Sequence, residues 1–231
     1  MPRFPGFGLL YEVSDPVSSR PYRAHVDQID LAVEMARAEP ESSHPVRAVW
    51  GMGSAVPGPI IWTTSAHPLI VHERIVELFT THGFRGWRRY PAEVCTKDGD
   101  WLSDYYVLGI SGRCGPVDLN QSSIQLCEYP AGWVPHFKGH YFVADTWDGS
   151  DLFMHHADRT GKVTLNRFVT EPVMQALSRA KIRNLEMKSL PEVSVDVSVY
   201  SIGNAHLLPP DIDDRIAAAY AAAGVPRPSW V

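Results

Sequence analysis

The chain has 231 residues, 45% of them hydrophobic, and a formal net charge of −5. That is enough apolar material for a packed core and too little positive charge for a surface that neutralises nucleic-acid phosphates. No apolar run approaches the roughly 18 residues of a membrane helix, and the opening MPRFPGFGLLYEV is broken by Pro5 and Gly8 before it reaches the length of a signal-peptide core. Cys95, Cys114 and Cys127 form an odd set without C-x-x-C spacing, which suits a reducing cytoplasm better than a disulfide framework.

In chain order, residues 1–25 are rich in Pro, Ser and aromatic residues and read as extended or irregular chain. A helix is predicted over 27–39, from Ile29, Ala32, Val33 and Ala36 at helical spacing, with Asp27 as N-cap and Pro40 as the stop. A short strand at 46–50 leads into 51–59, a loop with three glycines and two prolines. That loop is no dinucleotide cradle, because Val56 stands where the pattern needs glycine and prolines stand where a helix should open.

The stretch 72–82 puts Ile75, Leu78 and Phe79 on one helical face and is followed by Gly83 in the position that favours a left-handed residue. Aromatic and β-branched residues at 87–96 and 101–110 flank Asp98-Gly99, a pair suited to a type I′ hairpin turn. Further strands are predicted at 123–129, 140–146, 152–156 and 193–202. Helices are predicted over 171–180, with Thr170 as N-cap, and over 212–223, where Asp211, Asp213 and Asp214 sit at the favourable end and Gly224 and Pro226 stop the helix.

Sliding the chain so that Val71 meets Val169 aligns two of these helices face to face: Ile75 with Val173, Phe79 with Leu177, Phe84 with Ile182, Arg85 with Arg183 and Gly86 with Asn184. Two readings stay open, chance agreement of two amphipathic helices or a duplicated helix-turn-strand unit. Either way the expected fold is α+β, a mostly antiparallel or mixed sheet with three to four helices packed on it. The expected organisation is one domain: an N-terminal extension with one helix over 1–60, a core over 61–188, and a C-terminal strand and helix over 189–231.

Three segments, LIVHERIVELFTTHGFRGWRRYPAEV, DYYVLGISGRCGPVDLNQSS and DLFMHHADRTGKVTLNRFVTEPVMQALSRAKIRNLEM, resemble an immunity protein family of bacterial polymorphic toxin systems, the immunity-eleven type. The likeness lies in a helix leading through a Gly turn to an aromatic-Tyr-Pro strand, a Tyr-Tyr strand followed by Asp118, Leu119 and Ser122, and a Leu-Phe strand before a second helix. It covers about half of the chain, with His72 standing where the family usually has Ser. The resemblance implies a non-catalytic protein that binds a cognate toxin or effector and neutralises it by surface occlusion, with no cofactor.

Two turns combine tryptophan with carboxylates: Asp98, Asp100 and Trp101 at the hairpin tip, and Asp145, Trp147, Asp148 and Asp151. Tryptophan anchors interfaces and carboxylates steer a basic partner, so these are the candidate partner-binding residues. The competing reading folds each Trp into the core. Two other functions remain: a metal-dependent hydrolase assembled from His136, His140, His155 and nearby carboxylates, and an adaptor or chaperone for a secreted effector. Against a metal, strand residues four apart lie about 13 Å from each other.

Overall fold

The computed structural model describes residues 3–39, 44–64, 68–156, 166–201 and 205–228. These contain three sheets and five α-helices, so the α+β expectation holds while the single sheet with three or four helices does not.

Six strands close into a barrel: β2 (Arg23–Val26), β3 (Val46–Met52), β6 (Trp87–Cys95), β7 (Trp101–Ile110), β5 (Leu69–His72) and β4 (Ile60–Thr63), in that order. Parallel pairing of β2 with β4 completes the ring, and β3 runs parallel to β6. Inside are Ala24, Val26, Val46, Ala48, Ile61, Ile70, Ala92, Val94 and Val107, with Ala32 and Met35 of α1 (Ile29–Ala36) packed onto them. A five-stranded sheet has the order β13 (Glu186–Ser189), β1 (Leu10–Ser14), β12 (Arg167–Thr170), β11 (Leu152–His155), β8 (Gly112–Cys114). A three-stranded sheet places β10 (Gly132–Lys138) between β14 (Ser194–Asp196) and β9 (Ser123–Tyr129), covered by α4 (Val197–Ser201) and α5 (Ile212–Ala223).

The stretches β5, α2 (Glu73–Thr81), β6 and β12, α3 (Glu171–Arg179), β13 are built alike at the shift that takes Val71 to Val169. Each helix closes with the same turn: Phe84 N donates to Phe79 O at 3.1 Å, and Ile182 N donates to Leu177 O at 3.0 Å. Left-handed residues fall at matching places, Gly83 and Gly86 in one copy, Lys181 and Asn184 in the other.

The likeness extends to strands that chain order does not supply. β7 lies between β5 and β6, and β1 lies between β12 and β13, all antiparallel. The registers correspond: Val71 faces Tyr106 and Arg88 faces Gly109, while Val169 faces Tyr11 and Glu186 faces Ser14. β4 borders β5 as β11 borders β12. One core joins the two units, with Ile60, Trp62, Val71, Ile75, Phe79 and Leu108 from the first and Leu152, Met154, Val169, Val173, Leu177 and Val13 from the second.

The structure departs from several of these expectations. The first 25 residues are not irregular, since they supply β1, a central strand, and the start of β2. Pro16 and Pro21 fall between β1 and β2, and Pro5 precedes β1. The strand expected over 140–146 is a single bridge at Phe142 followed by a tight 3-10 turn over Ala144–Thr146. The neighbouring true strand, β10, is disguised by Pro135. Because β14 pairs only from His136 to Lys138, Pro135 sits beyond its reach. The strand expected over 193–202 stops at Asp196, whose carboxylate accepts from Ser198 N at 2.8 Å and opens α4 instead; Ile202 lies outside the described residues, as does Pro40.

α1 begins at Ile29 with Gln28, not Asp27, at its cap. His72, where the resembled family has Ser, caps α2: its Nδ1 accepts from Arg74 N at 3.1 Å, and its Nε2 lies 2.9 Å from the Asp104 carboxylate. Thr170 precedes α3 without capping it and directs its hydroxyl to Asp151.

Candidate functional site

The two tryptophan-carboxylate turns have different fates. The turn with Trp147 is folded into the molecule. Its indole lies 5.9 Å from the Phe4 ring and 6.1 Å from Phe153, and its ring N–H donates to Ser150 O at 3.1 Å. Asp148 accepts from Arg113 N at 2.7 Å and Ser150 N at 2.9 Å, and Asp151 accepts from Arg85 N at 2.9 Å. These carboxylates tie β8, β11 and the turn before β6 together, and Asp145 stays exposed.

The other turn stands at one end of the barrel. Gly99 takes φ 96°, Gly99 N donates to Thr96 O at 3.1 Å and Thr96 N donates to Asp100 O at 2.8 Å. Only one of the two central residues is left-handed, so this is a turn with a glycine bulge and not the type I′ pair expected. It presents Asp98 and Asp100 to solvent and leaves Trp101 51% exposed. The Arg47 guanidinium sits 5.5 Å from the Trp101 ring centre and pairs with Glu93 at 3.0 Å. Beside it, the Lys97 ammonium lies 4.9 Å from the Trp50 ring.

Two further loops complete this end. Trp50 donates its ring N–H to Ser54 O at 3.1 Å, and Ser54 N donates to Arg20 O at 3.0 Å, which joins the 51–58 loop to the 15–22 loop. Gly53, at φ 84°, lies so close to Pro21 O that no Cβ fits. Val17 takes φ 50°, a conformation that a β-branched side chain resists. A clamp holds it there: the Asp15 carboxylate accepts from Val17 N at 2.9 Å and from the two terminal Arg23 guanidinium nitrogens at 2.6 Å, while Arg23 Nε donates to Ser18 O at 2.8 Å.

The result is a set of apolar side chains held in water on hydrogen-bonded loops: Val17 is 86% exposed, Val56 74% and Met52 45%, in addition to Trp101. Val17, Met52 and Arg23 border a hollow of about 250 Å³, and Arg47, Glu93 and Trp101 border one of about 260 Å³. Val17 and Met52 thus border one hollow and Trp101 another at the same end of the barrel, and exposed apolar groups of this kind, one of them on strained backbone, are candidate contact points for a partner. Of the residues at this end, sequence reasoning singled out Asp98, Asp100 and Trp101 as candidates. It missed Val17, Met52 and Val56, because an apolar residue in a loop carries no local sign of whether it is covered.

No protein-family model matches this sequence, and no curated protein does.

The histidines of the metal reading divide between two places. His140 and His155 meet, with Nε2 to Nε2 2.7 Å and rings stacked at 13°. His155 Nδ1 lies in hydrogen-bond contact with Gly115 O and 3.3 Å from Cys114 Sγ. A carbonyl only accepts, so Nδ1 of His155 carries the proton, its Nε2 accepts, and His140 Nε2–H donates. That leaves His140 Nδ1 bare and without a partner among the described residues. Burial holds His140 well below the usual imidazole range and pushes His155 down to about 4; burial also raises the Cys114 thiol. His136 belongs to β10, 3.3 Å from the Tyr129 hydroxyl and 3.2 Å from that of Ser194. Among the described residues, no three His, Cys, Asp or Glu side chains are grouped to hold a metal ion.

Proposed function

We propose that this protein is an immunity-type inhibitor that acts in the cytoplasm, binding a cognate bacterial toxin and neutralising it by covering or distorting its working surface. The observation that carries the reading is Val17, clamped at φ 50° and 86% exposed, on the same barrel end as Met52, Val56 and Trp101. The likeness of the 69–187 region to an immunity family gives the reading its partner class. A surface whose loops are already fixed loses little conformational entropy on binding, so its apolar area converts efficiently into affinity. Trp101 has the size and exposure of an interface anchor, and Asp98 and Asp100 beside it favour approach of a basic patch.

The test is co-expression with the product of each neighbouring gene, followed by purification of any complex and assay of the partner's toxicity. A stable complex in which toxicity is lost is the expected result. The absence of a complex at micromolar concentration with every neighbour counts against the reading, and a complex that leaves the partner active favours the adaptor alternative.

A further inference from the structure

The seam between the three-stranded sheet and the five-stranded sheet runs through residues 139–142. Gly139 N donates to Val193 O and His140 N donates to Leu190 O, both at 2.8 Å, and the Ser122 hydroxyl donates to Gly139 O at 2.9 Å. Across this seam His140 reaches His155 of β11, and both rings lie against Phe168 of β12 at 5.0 Å. Phe142 packs against His155 at 6.2 Å. The side-chain bond across the seam is therefore a contact between two neutral imidazoles in an aromatic box.

We propose that this pair is an acid-operated latch: protonation separates His140 from His155 and frees the 139–142 seam while the barrel stays closed. A proton added to His155 Nε2 meets the Nε2–H of His140, two donors 2.7 Å apart with nothing between them to accept. A proton added to His140 Nδ1 creates an imidazolium whose N–H has no acceptor among the described residues.

Among the described residues, the charged and titratable groups on the surrounding elements give no relief. From β8 the neighbour is the neutral Cys114 thiol. Just past the end of β11, exposed His156 adds repulsion when charged. On β12, Arg167 turns to the other face, over the Trp62 ring. Glu12 of β1 accepts from Asn166, with Lys188 of β13 beside it, and Tyr200 of α4 faces Glu12. On β10, Lys138 donates to Glu192 O at 2.8 Å and His136 is held by Tyr129 and Ser194. In the segment before β9, the Asp118 carboxylate is taken by Asn120 and Gln121.

The sign follows from the folded state holding fewer protons than the unfolded one. Both imidazoles lie below their ordinary 6.5, so the latch is intact above that pH and weakens as pH falls toward about 4.

The test is amide hydrogen exchange, corrected for intrinsic rates, between pH 7.5 and 4.5, on the wild-type chain and on a His140→Phe/His155→Phe variant. In the wild type, protection of Gly139 and His140 amides is expected to fall by about tenfold or more by pH 5, while Val94 and Val107 in the barrel keep theirs. In the variant, the seam amides are expected to show no such fall. Equal loss in seam and barrel, or the same fall in the variant, overturns the latch. Should the variant not fold, the wild type decides: two imidazoles that titrate only well below 6.5 together with the loss of seam protection support the latch, and ten that all titrate near 6.5, or seam protection unchanged at pH 4.5, overturn it.

Discussion

Asn184 donates its side-chain amide to the main-chain carbonyl of Ile60 at 3.0 Å, and the Trp62 ring N–H returns to Asn184 O at 2.7 Å. The matching residue of the other unit is Gly86, and a Cβ there would collide with the carbonyl of Leu152, the counterpart of Ile60 on β11. One joint is thus made twice, once through a side chain and once by direct approach of the main chain.

Gly86→Ala is expected to lower stability by about 3 kcal/mol, because the new methyl meets main chain that cannot yield and the backbone stands at φ 91°. Asn184→Ala loses a hydrogen bond and puts alanine at φ 67°, at a cost of about 2 kcal/mol. Urea denaturation of both variants checks the order. An Asn184 variant more damaged than the Gly86 variant would show that the two joints are not equivalent.

Lys181 occupies the left-handed helix-end position that Gly83 fills in the other unit, with φ 53°. Its side chain is exposed, so Lys181→Gly is expected to raise stability by up to about 1 kcal/mol by removing the Cβ penalty. A melting temperature at or below that of wild type contradicts this.

Val17 separates stability from binding. Val17→Gly relieves the φ 50° strain and is expected to raise unfolding free energy by about 1 kcal/mol. If the barrel end is the docking surface, the same change weakens partner binding severalfold. Trp101→Ala is expected to cost about 2 kcal/mol of binding, near thirtyfold in affinity, with little change in stability because the ring is 51% exposed. Calorimetric titration with the partner reads both, and unchanged affinity in both variants moves the docking surface elsewhere.

Glu12 sits on the strand where the other unit has Val107, and burial raises its carboxyl above the ordinary 4.5 against the lowering effects of Asn166 and Lys188. A raised acid binds more protons folded than unfolded, so its contribution is full below 4.5 and is lost as pH rises through the folded value. Glu12→Gln keeps an acceptor for Asn166 and is expected to stabilise the chain at pH 7.5, with the gain vanishing at pH 4. A variant less stable than wild type at both pH values would show that the ionised carboxylate is a net asset.

What was legible in the residues is what neighbours along the chain decide. α2, α3 and α5 carry their own apolar faces and end signals, and the predicted helix over 212–223 coincides with the observed one, closed by Gly224 at φ 67°. The β6–β7 hairpin follows from two aromatic runs and one glycine turn. β1 and β10 were hidden for opposite reasons, β1 because its flanks look irregular, β10 because a proline lies inside it. Of the candidate site, the Trp and Asp side chains of the hairpin were readable as types, while the engagement of Trp147 and the exposure of Trp101 were not.

The order of apolar and polar residues by itself determined α1, α2, α3 and α5, though not α4, as well as where the long hairpin turns and that two helix-turn-strand stretches share a pattern. Only the tertiary structure decided that β1, from the far N-terminus, takes the place in the second unit that β7 takes in the first, and that β2 meets β4 to close a barrel. The reason is physical: helix and turn preferences arise from contacts a few residues apart, whereas strand partners, the φ of Val17 and the meeting of His140 with His155 are set by which distant surfaces bury one another, and no local preference encodes that choice.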